Sequence, residues 1–153
     1  TEIYTLSLHD ALPILSFVAF AIPSGFIATK IGRKRTIIFG LIGLIVVFIP
    51  ILFLMNLVAI RILLLIGGFF WALININSLP MVLEIGQHSE IGTYTGYYYF
   101  FSFSANIVSP ILYGLIRDLT GTFNSLFIYA PIVFAFSLIC ILRIKDTKKE
   151  AIA

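Results

Sequence analysis

Five long blocks of apolar residues, separated by short polar segments, most strongly constrain what this chain can fold into. The blocks lie at residues 12–28, 36–55, 57–85, 93–116 and 124–142. A helix of ~20 residues crosses the ~30 Å hydrocarbon core of a bilayer, and each block is about that long. The blocks are apolar on all faces, which excludes the alternating pattern of membrane-spanning strands. The sequence therefore predicts an all-α, polytopic membrane helix bundle with about five transmembrane helices.

Charged residues are few, and they lie mostly between the blocks. Only 11% of the residues are charged and 60% are apolar, whereas soluble domains have about 25% and about 45–50%. Eight of the ten Lys and Arg residues fall in residues 29–35 or 143–153, which five crossings place on one side of the membrane. Because positively charged loops stay on the cytoplasmic side, we expect these segments and the C-terminus to be cytoplasmic.

The residues that most enzymes and metal sites require are scarce. The single cysteine, Cys140, lies inside an apolar block, and the sequence contains two histidines. Neither a metal-ligand spacing nor a nucleophile with a base nor a phosphate-binding glycine loop is evident. We therefore predict no enzyme activity and no cofactor or metal. We also predict no nucleic-acid partner, because the basic residues flank hydrophobic blocks.

The segment between the first two blocks carries the most informative motif. It reads GFIATKIGRKR over residues 25–35. We expect Gly25 to allow close approach of a neighbouring helix and Gly32 to take a positive φ in the turn. The basic residues can hold the loop at the lipid head groups, or pair with acids and helix C-termini. They are Lys30, Arg33, Lys34 and Arg35. An ordinary loop on the positive side of a membrane would need only the charges.

This motif resembles the signature G-x-x-x-D-[RK]-x-G-[RK]-[RK] of the major facilitator superfamily, with Thr29 at the acidic position. Residues 75–84, 92–102, 109–114 and 118–121 are similar to the last helices of bacterial members. The similar subgroup contains sucrose-transporter-like proteins and glycoside–pentoside–hexuronide:cation symporters. The resemblance covers about residues 15–149. The C-terminal copy of the motif is commonly the more degenerate one, so Thr29 favours the loop between helices eight and nine.

The resemblance implies a division of the chain and a function. Residues 15–143 are expected to form helices eight to twelve of the superfamily fold, and residues 144–153 a cytoplasmic basic tail. Residues 1–14 resemble a translated sequencing adapter, so we expect a non-native leader. The implied protein is a secondary active transporter of the bacterial plasma membrane, acting by alternating access with an N-terminal half outside this chain. Its partners would be a sugar or other small polar solute and a proton or cation gradient. Two alternatives stay open: an N-terminal-half fragment with helices two to six, and a membrane protein that binds or scaffolds without transporting.

Polar side chains inside the third block are candidates for solute binding, because polar groups within a bilayer are costly and normally face a bundle interior or a wet cavity. Trp71 and Asn75 are four residues apart and share a helix face, and Asn77 lies nearby. Pro80 removes a helical hydrogen bond, so we expect a broken helix near the middle of the membrane. The alternative is that these amides only join helices.

The fourth block carries a continuous polar stripe. Tyr98, Ser102, Asn106 and Ser109 follow one another at spacings of four, four and three. Hydroxyl and amide groups suit an uncharged, hydroxyl-rich solute, although the stripe could equally line a packed interface. The predicted solute-binding residues are therefore Trp71, Asn75, Asn77, Tyr98, Ser102 and Asn106.

Glu84 lies near the cytoplasmic end of the third block. A partly buried carboxylate is a possible site for the coupling proton or cation. The alternatives are a solvated acid and an acid paired with the nearby basic loop.

Overall fold

The computed structural model of the chain describes residues 2–54, 56–86 and 88–144, with side chains from residue 14 onward except that of His88. The five helices are α1 (Glu2–Ile31), α2 (Arg33–Ile51), α3 (Leu57–Leu83), α4 (Ile91–Thr120) and α5 (Leu126–Arg143). Short 3₁₀ turns at His88–Glu90 and Phe123–Ser125 precede α4 and α5. All five helices are long and apolar enough to cross a membrane. The prediction of an all-α protein with five spans is confirmed.

The helix ends follow local chemistry, so several bounds differ from the apolar blocks. Asn56 caps α3, because its side-chain oxygen accepts hydrogen bonds from the amides of Val58 and Ala59. Gly121 ends α4 with a φ of +69°, in the left-handed region that favours glycine. The helix α2 starts three residues before the second block and ends at Ile51, whereas the block ran to 55.

The two predicted terminal segments are described in part. Residues 2–13 continue α1 as helical backbone. Of the predicted tail, Ile144 is described, and residues 145–153 lie outside the described part, as do Thr1, Met55 and Gln87.

Close approach of α2 and α3 at two glycines forms the centre of the bundle. A Cβ on Gly43 would lie 2.1 Å from a ring atom of Phe70, and one on Gly40 would lie 2.9 Å from the backbone oxygen of Phe70. Lipid tails are as apolar as the helices, so dispersion contacts rather than the hydrophobic effect hold helices together in a bilayer. Glycine provides such contacts because it lets the backbones meet.

Aromatic contacts attach α1 and α5 to this pair. Phe20 of α1 meets Phe69 of α3 edge-on, with 4.8 Å between ring centroids. Phe48 of α2 meets Phe134 of α5 in the same manner at 5.7 Å. As a result, α1 packs on α3, and α5 packs on α2.

The fourth helix is the least packed. Side chains along the whole of Ile91–Thr120 are described, and none is buried. The helix touches α3 close to the turn that joins them, where Tyr94 lies against Gly86. Near its other end, the ring of Tyr113 lies 6.1 Å from that of Tyr129 on α5. Most of the surface of α4 is therefore open within this chain.

Candidate functional site

Asn77 connects two helices. Its side chain is 0% exposed. The amide nitrogen donates to Ser24 Oγ on α1 at 3.0 Å and to the backbone oxygen of Leu73 at 2.8 Å. Ser24 Oγ in turn donates to the backbone oxygen of Ala72 at 3.1 Å. In this structure Asn77 therefore supports the α1–α3 contact, as expected for an amide between transmembrane helices.

Trp71 and Asn75 have a different environment on the same helix. The side chain of Asn75 is exposed and hydrogen bonds to no other described residue. Trp71 is 45% exposed and lines an apolar cavity of about 410 Å³, together with Phe17 and Phe48. The two side chains are four residues apart, so they lie on one face of α3. This face presents an amide that has no hydrogen-bond partner among the described residues and an indole that is 45% exposed.

The polar stripe of α4 divides into two parts. Tyr98 and Ser102 are half-buried and Asn106 is exposed, and within the described residues their polar side-chain atoms form no hydrogen bonds. Ser109 differs, because its Oγ lies 3.3 Å from the hydroxyl of Tyr129 on α5. The part of the stripe nearer the start of α4 thus keeps free donors and acceptors, and the last part joins α4 to α5.

The two groups of candidate residues lie on helices that touch. Contact between α3 and α4 is established beside the connecting turn at Gly86 and Tyr94. Among the described residues, no hydrogen bond joins Trp71 or Asn75 to the stripe of α4. The structure thus places both groups on neighbouring helices without bringing them together in one closed pocket.

Pro80 does not break α3. The helix is continuous from Leu57 to Leu83, and Pro80 lies in its last turn. The expectation of a broken helix near the middle of the membrane is therefore wrong. A proline so near the C-terminal end interrupts only the last helical hydrogen bonds, and the helix ends soon after it.

The loop between the first two helices, within the motif of residues 25–35, consists of one residue. Gly32 alone separates α1 from α2, with φ +93° and ψ 146°, a conformation essentially restricted to glycine. Its amide donates to the backbone oxygen of Ala28, and its oxygen accepts from the amide of Thr36, so both helices continue directly up to it. The predicted positive φ is confirmed.

Gly25 makes no close helix contact within the described residues. A Cβ at this position would meet no described atom within 4 Å. The close approaches lie instead at Gly40 and Gly43 of α2, which the sequence analysis did not single out. Their spacing of three residues on one apolar helix was the available signal, although an apolar pattern on all faces does not tell which face meets a neighbour.

The basic residues after Gly32 contact two other helix ends. Arg33 Nε lies 2.6 Å from Glu84 Oε1, just after α3, with both side chains partly exposed. Lys34 Nζ donates to the backbone oxygen of Ile144, just after α5. These are the two kinds of contact expected of the basic residues, with an acid and with a helix C-terminus. They place the ends of α3 and α5 beside the start of α2, at one end of the bundle.

Thr29 does not replace the missing acid. Its hydroxyl donates to the backbone oxygen of Phe26 at 2.7 Å, within its own helix. The acidic partner of the loop is Glu84, which comes from another helix. Of the roles considered for Glu84, the structure contains the ion pair with the basic loop. Ser24 was missed in the sequence, where a single serine in an apolar block gave little signal.

Comparisons with known proteins agree with the described fold. The sequence model of the Major Facilitator Superfamily matches residues 3–153. The Hexuronate transporter of Bacillus subtilis (strain 168) is 29% identical over 77 residues, which cover 50% of this chain and 16% of that protein. The chain thus aligns with well under two thirds of that relative's length. No solved structure matches the chain.

Proposed function

We propose, from the premise that the chain belongs to the Major Facilitator Superfamily, that it is the C-terminal part of a secondary active transporter for a small polar solute. The structure describes five helices that are able to span a bilayer. We assign them to helices eight to twelve, with the rest of the transporter supplying the other wall of the pathway. The proposed location is a bacterial plasma membrane, with the Gly32 end and the C-terminus in the cytoplasm.

The observation that carries the proposal is the set of polar groups left without partners on α3 and α4. Asn75, Ser102 and Asn106 lie within membrane-spanning helices, yet their side chains bond to no other described residue. Such groups are expensive in lipid and favour a site that a solute or water can reach. We propose that Trp71, Tyr98 and these three residues bind the solute, and that Asn77 holds α1 and α3 in place behind them.

A sugar or sugar acid is the class of solute that these residues fit. Amides and hydroxyls both donate and accept hydrogen bonds, as hydroxyl-rich solutes require. The indole of Trp71 offers an apolar surface, and ligand sites commonly combine such surfaces with a few polar groups. The relative's name indicates hexuronate, so hexuronates and uncharged sugars are the solutes to test first.

Alternating access supplies the mechanism, in which two halves of the bundle rock around a central site. We propose that the Arg33–Glu84 pair and the Lys34 contact close the cytoplasmic end in one of the two states. Glu84 is also the residue to which we assign coupling with a proton or cation. In that role the carboxylate would exchange Arg33 for the coupling ion when the end opens.

Uptake measurements test this function. Cells that express the complete gene containing this chain are expected to accumulate labelled hexuronate or disaccharide. Removing one solute hydrogen bond costs about 0.5–1.5 kcal/mol, so Ser102→Ala is expected to raise the KM for uptake roughly fivefold. Ser104→Ala is the matched control, because the hydroxyl of Ser104 bonds to the backbone of its own helix. Equal KM values for both variants, or for Asn75→Ala and the parent, would refute the site.

A separate experiment tests whether Glu84 couples solute uptake to an ion gradient. Glu84→Gln is expected to abolish the dependence of uptake on a proton or sodium gradient while leaving downhill exchange intact. Glu90→Gln, which changes another exposed acid in the same connecting segment, serves as the control. Unchanged dependence on the gradient in Glu84→Gln would exclude Glu84 as the coupling residue.

A further inference from the structure

A second cavity lies between α2, α3 and α5, away from the proposed solute residues of α4. Its volume is about 320 Å³. The lining is mainly apolar and comes from all three helices. It includes Ile37, Leu41, Met81, Phe136, Cys140 and Ile144. Ile37 lies in the second turn of α2 and Ile144 just after α5, so the cavity extends to the end of the bundle where Gly32 reverses the chain.

Two cations stand at this end of the cavity. Lys34 precedes Ile37 and Leu41 by three and seven residues, so it lies on the cavity-lining face of α2. The Lys34 amine bonds to the oxygen of Ile144, itself a lining residue. On α5, Arg143 follows Phe136 and Cys140 by seven and three residues and is exposed. Both cations therefore extend the lining faces of their helices into the interfacial region.

Glu84, the described acid one helix turn beyond the lining residue Met81, does not cancel these charges. It is paired with Arg33 at 2.6 Å. Within the described residues, neither Lys34 nor Arg143 takes part in an ion pair. The described part of the rim therefore carries a local positive charge directly beside an apolar cavity.

We propose that this cavity binds one acyl chain of an anionic phospholipid, with the lipid phosphate held by Lys34 and Arg143. A lipid fits both features of the site, because its chain is apolar and its head group is negative. A soluble anion would make no contact with the apolar lining, and a purely apolar helix would provide no negative charge for Lys34 and Arg143. Basic sites between transmembrane helices on the cytoplasmic side bind lipid head groups by this combination of contacts.

Photo-crosslinking tests the proposal with this chain in mixed micelles. The probes are phosphatidylglycerol and phosphatidylcholine, each carrying a diazirine on one acyl chain, and labelled peptides are located by mass spectrometry. Phosphatidylglycerol is expected to label residues 136–144 more strongly than phosphatidylcholine. A basic residue near the membrane surface contributes about a fivefold preference for anionic lipid, so Lys34 and Arg143 together should give a preference of at most roughly 25-fold. The double variant Lys34→Gln with Arg143→Gln should label equally with both lipids.

Two further variants separate the charges from the cavity. Arg61→Gln with Arg117→Gln removes the same total charge near the start of α3 and in the last turn of α4, from residues that do not line the cavity, and should leave the labelling preference unchanged. Cys140→Phe fills the cavity while keeping both cations, and should reduce labelling of residues 136–144 by either lipid. Equal labelling by the two lipids, or a preference that survives the loss of Lys34 and Arg143, would overturn the proposal. Disulfide-linked dimers formed through Cys140, the single cysteine of the chain, on mild oxidation would do the same, because a second copy would then occupy the cavity.

Discussion

The hydrogen bond between Asn77 and Ser24 provides a quantitative test of how α1 is attached to α3. The bond joins two buried side chains, with 3.0 Å between Asn77 Nδ2 and Ser24 Oγ. Hydrogen bonds between transmembrane helices contribute about 0.6 kcal/mol on average and about 1.7 kcal/mol at most. In a double-mutant cycle of Ser24→Ala and Asn77→Ala, we therefore expect a coupling free energy of about 0.6–1.7 kcal/mol.

Each single substitution should lower the free energy of unfolding by less than the loss of all the hydrogen bonds of Asn77 and Ser24 would. When Asn77 is truncated, the hydroxyl of Ser24 still donates to the oxygen of Ala72. Truncation also removes Asn77 Oδ1, which is buried and has no hydrogen-bond partner among the described residues. Losing an unsatisfied acceptor offsets part of the lost bond. The coupling term is more informative than either single change, because truncation costs common to both backgrounds cancel in the cycle.

Unfolding by dodecyl sulfate in mixed micelles, followed through the fluorescence of Trp71, measures these free energies. Trp71 lies in the same helix as Asn77 and is the single tryptophan of the chain. Asn75→Ala is the matched control, since Asn75 is two positions away and exposed. Its substitution should change stability by less than about 0.5 kcal/mol and show no coupling with Ser24→Ala. A coupling near zero for Asn77, or a larger one for Asn75, would refute the assignment of these two amides.

Two other predictions concern helix packing and the basic loop. Gly43→Ala should destabilise the bundle by about 1–3 kcal/mol in the same assay, because its methyl group would overlap a ring of α3. Gly96→Ala, which has open space, should be neutral or stabilise by up to about 1 kcal/mol, and similar losses in both variants would contradict the packing argument. The half-exposed Arg33–Glu84 pair should contribute at most about 1 kcal/mol. The charge-swapped variant Arg33→Glu with Glu84→Arg should recover stability lost in Arg33→Glu alone, and no recovery would show that the two residues do not interact.

The five helices could be predicted from the sequence, because the length and continuity of apolar blocks depend on the bilayer rather than on tertiary contacts. Helix ends were less predictable, since they depend on local hydrogen bonds. The start of α2 lies three residues before its apolar block, because the basic residues 33–35 join the helix as soon as Gly32 has reversed the chain. The role of Gly32 was predictable, as a one-residue reversal requires a φ that other residues avoid.

The environment of each polar residue could not be predicted, for a geometric reason. Asn75 and Asn77 differ by two positions, which is about 200° around a helix. They must therefore face different neighbours, but an apolar pattern on all faces does not indicate which of them faces α1. For the same reason, the sequence predicted a close helix approach at Gly25, whereas the structure has one at Gly43. For the stripe on α4, spacing identified the face, but only the structure separates Ser109, bonded to Tyr129, from the rest.

Under the proposed function, the basic loop of residues 30–35 would act both on the orientation of the bundle and on its closure. Positive charge alone would place residues 29–35 on the cytoplasmic side. The structure adds that Lys34 bonds to a carbonyl beyond the end of α5, where the helix macrodipole favours a cation. Arg33 reaches an acid beyond the end of α3. Arg33 and Lys34 are adjacent in the first turn of α2, so a motion that carries the start of α2 away from the ends of both α3 and α5 breaks both contacts. The energy of each contact is small at a partly exposed site, so the proposed closing contacts would be released by a modest change in binding energy.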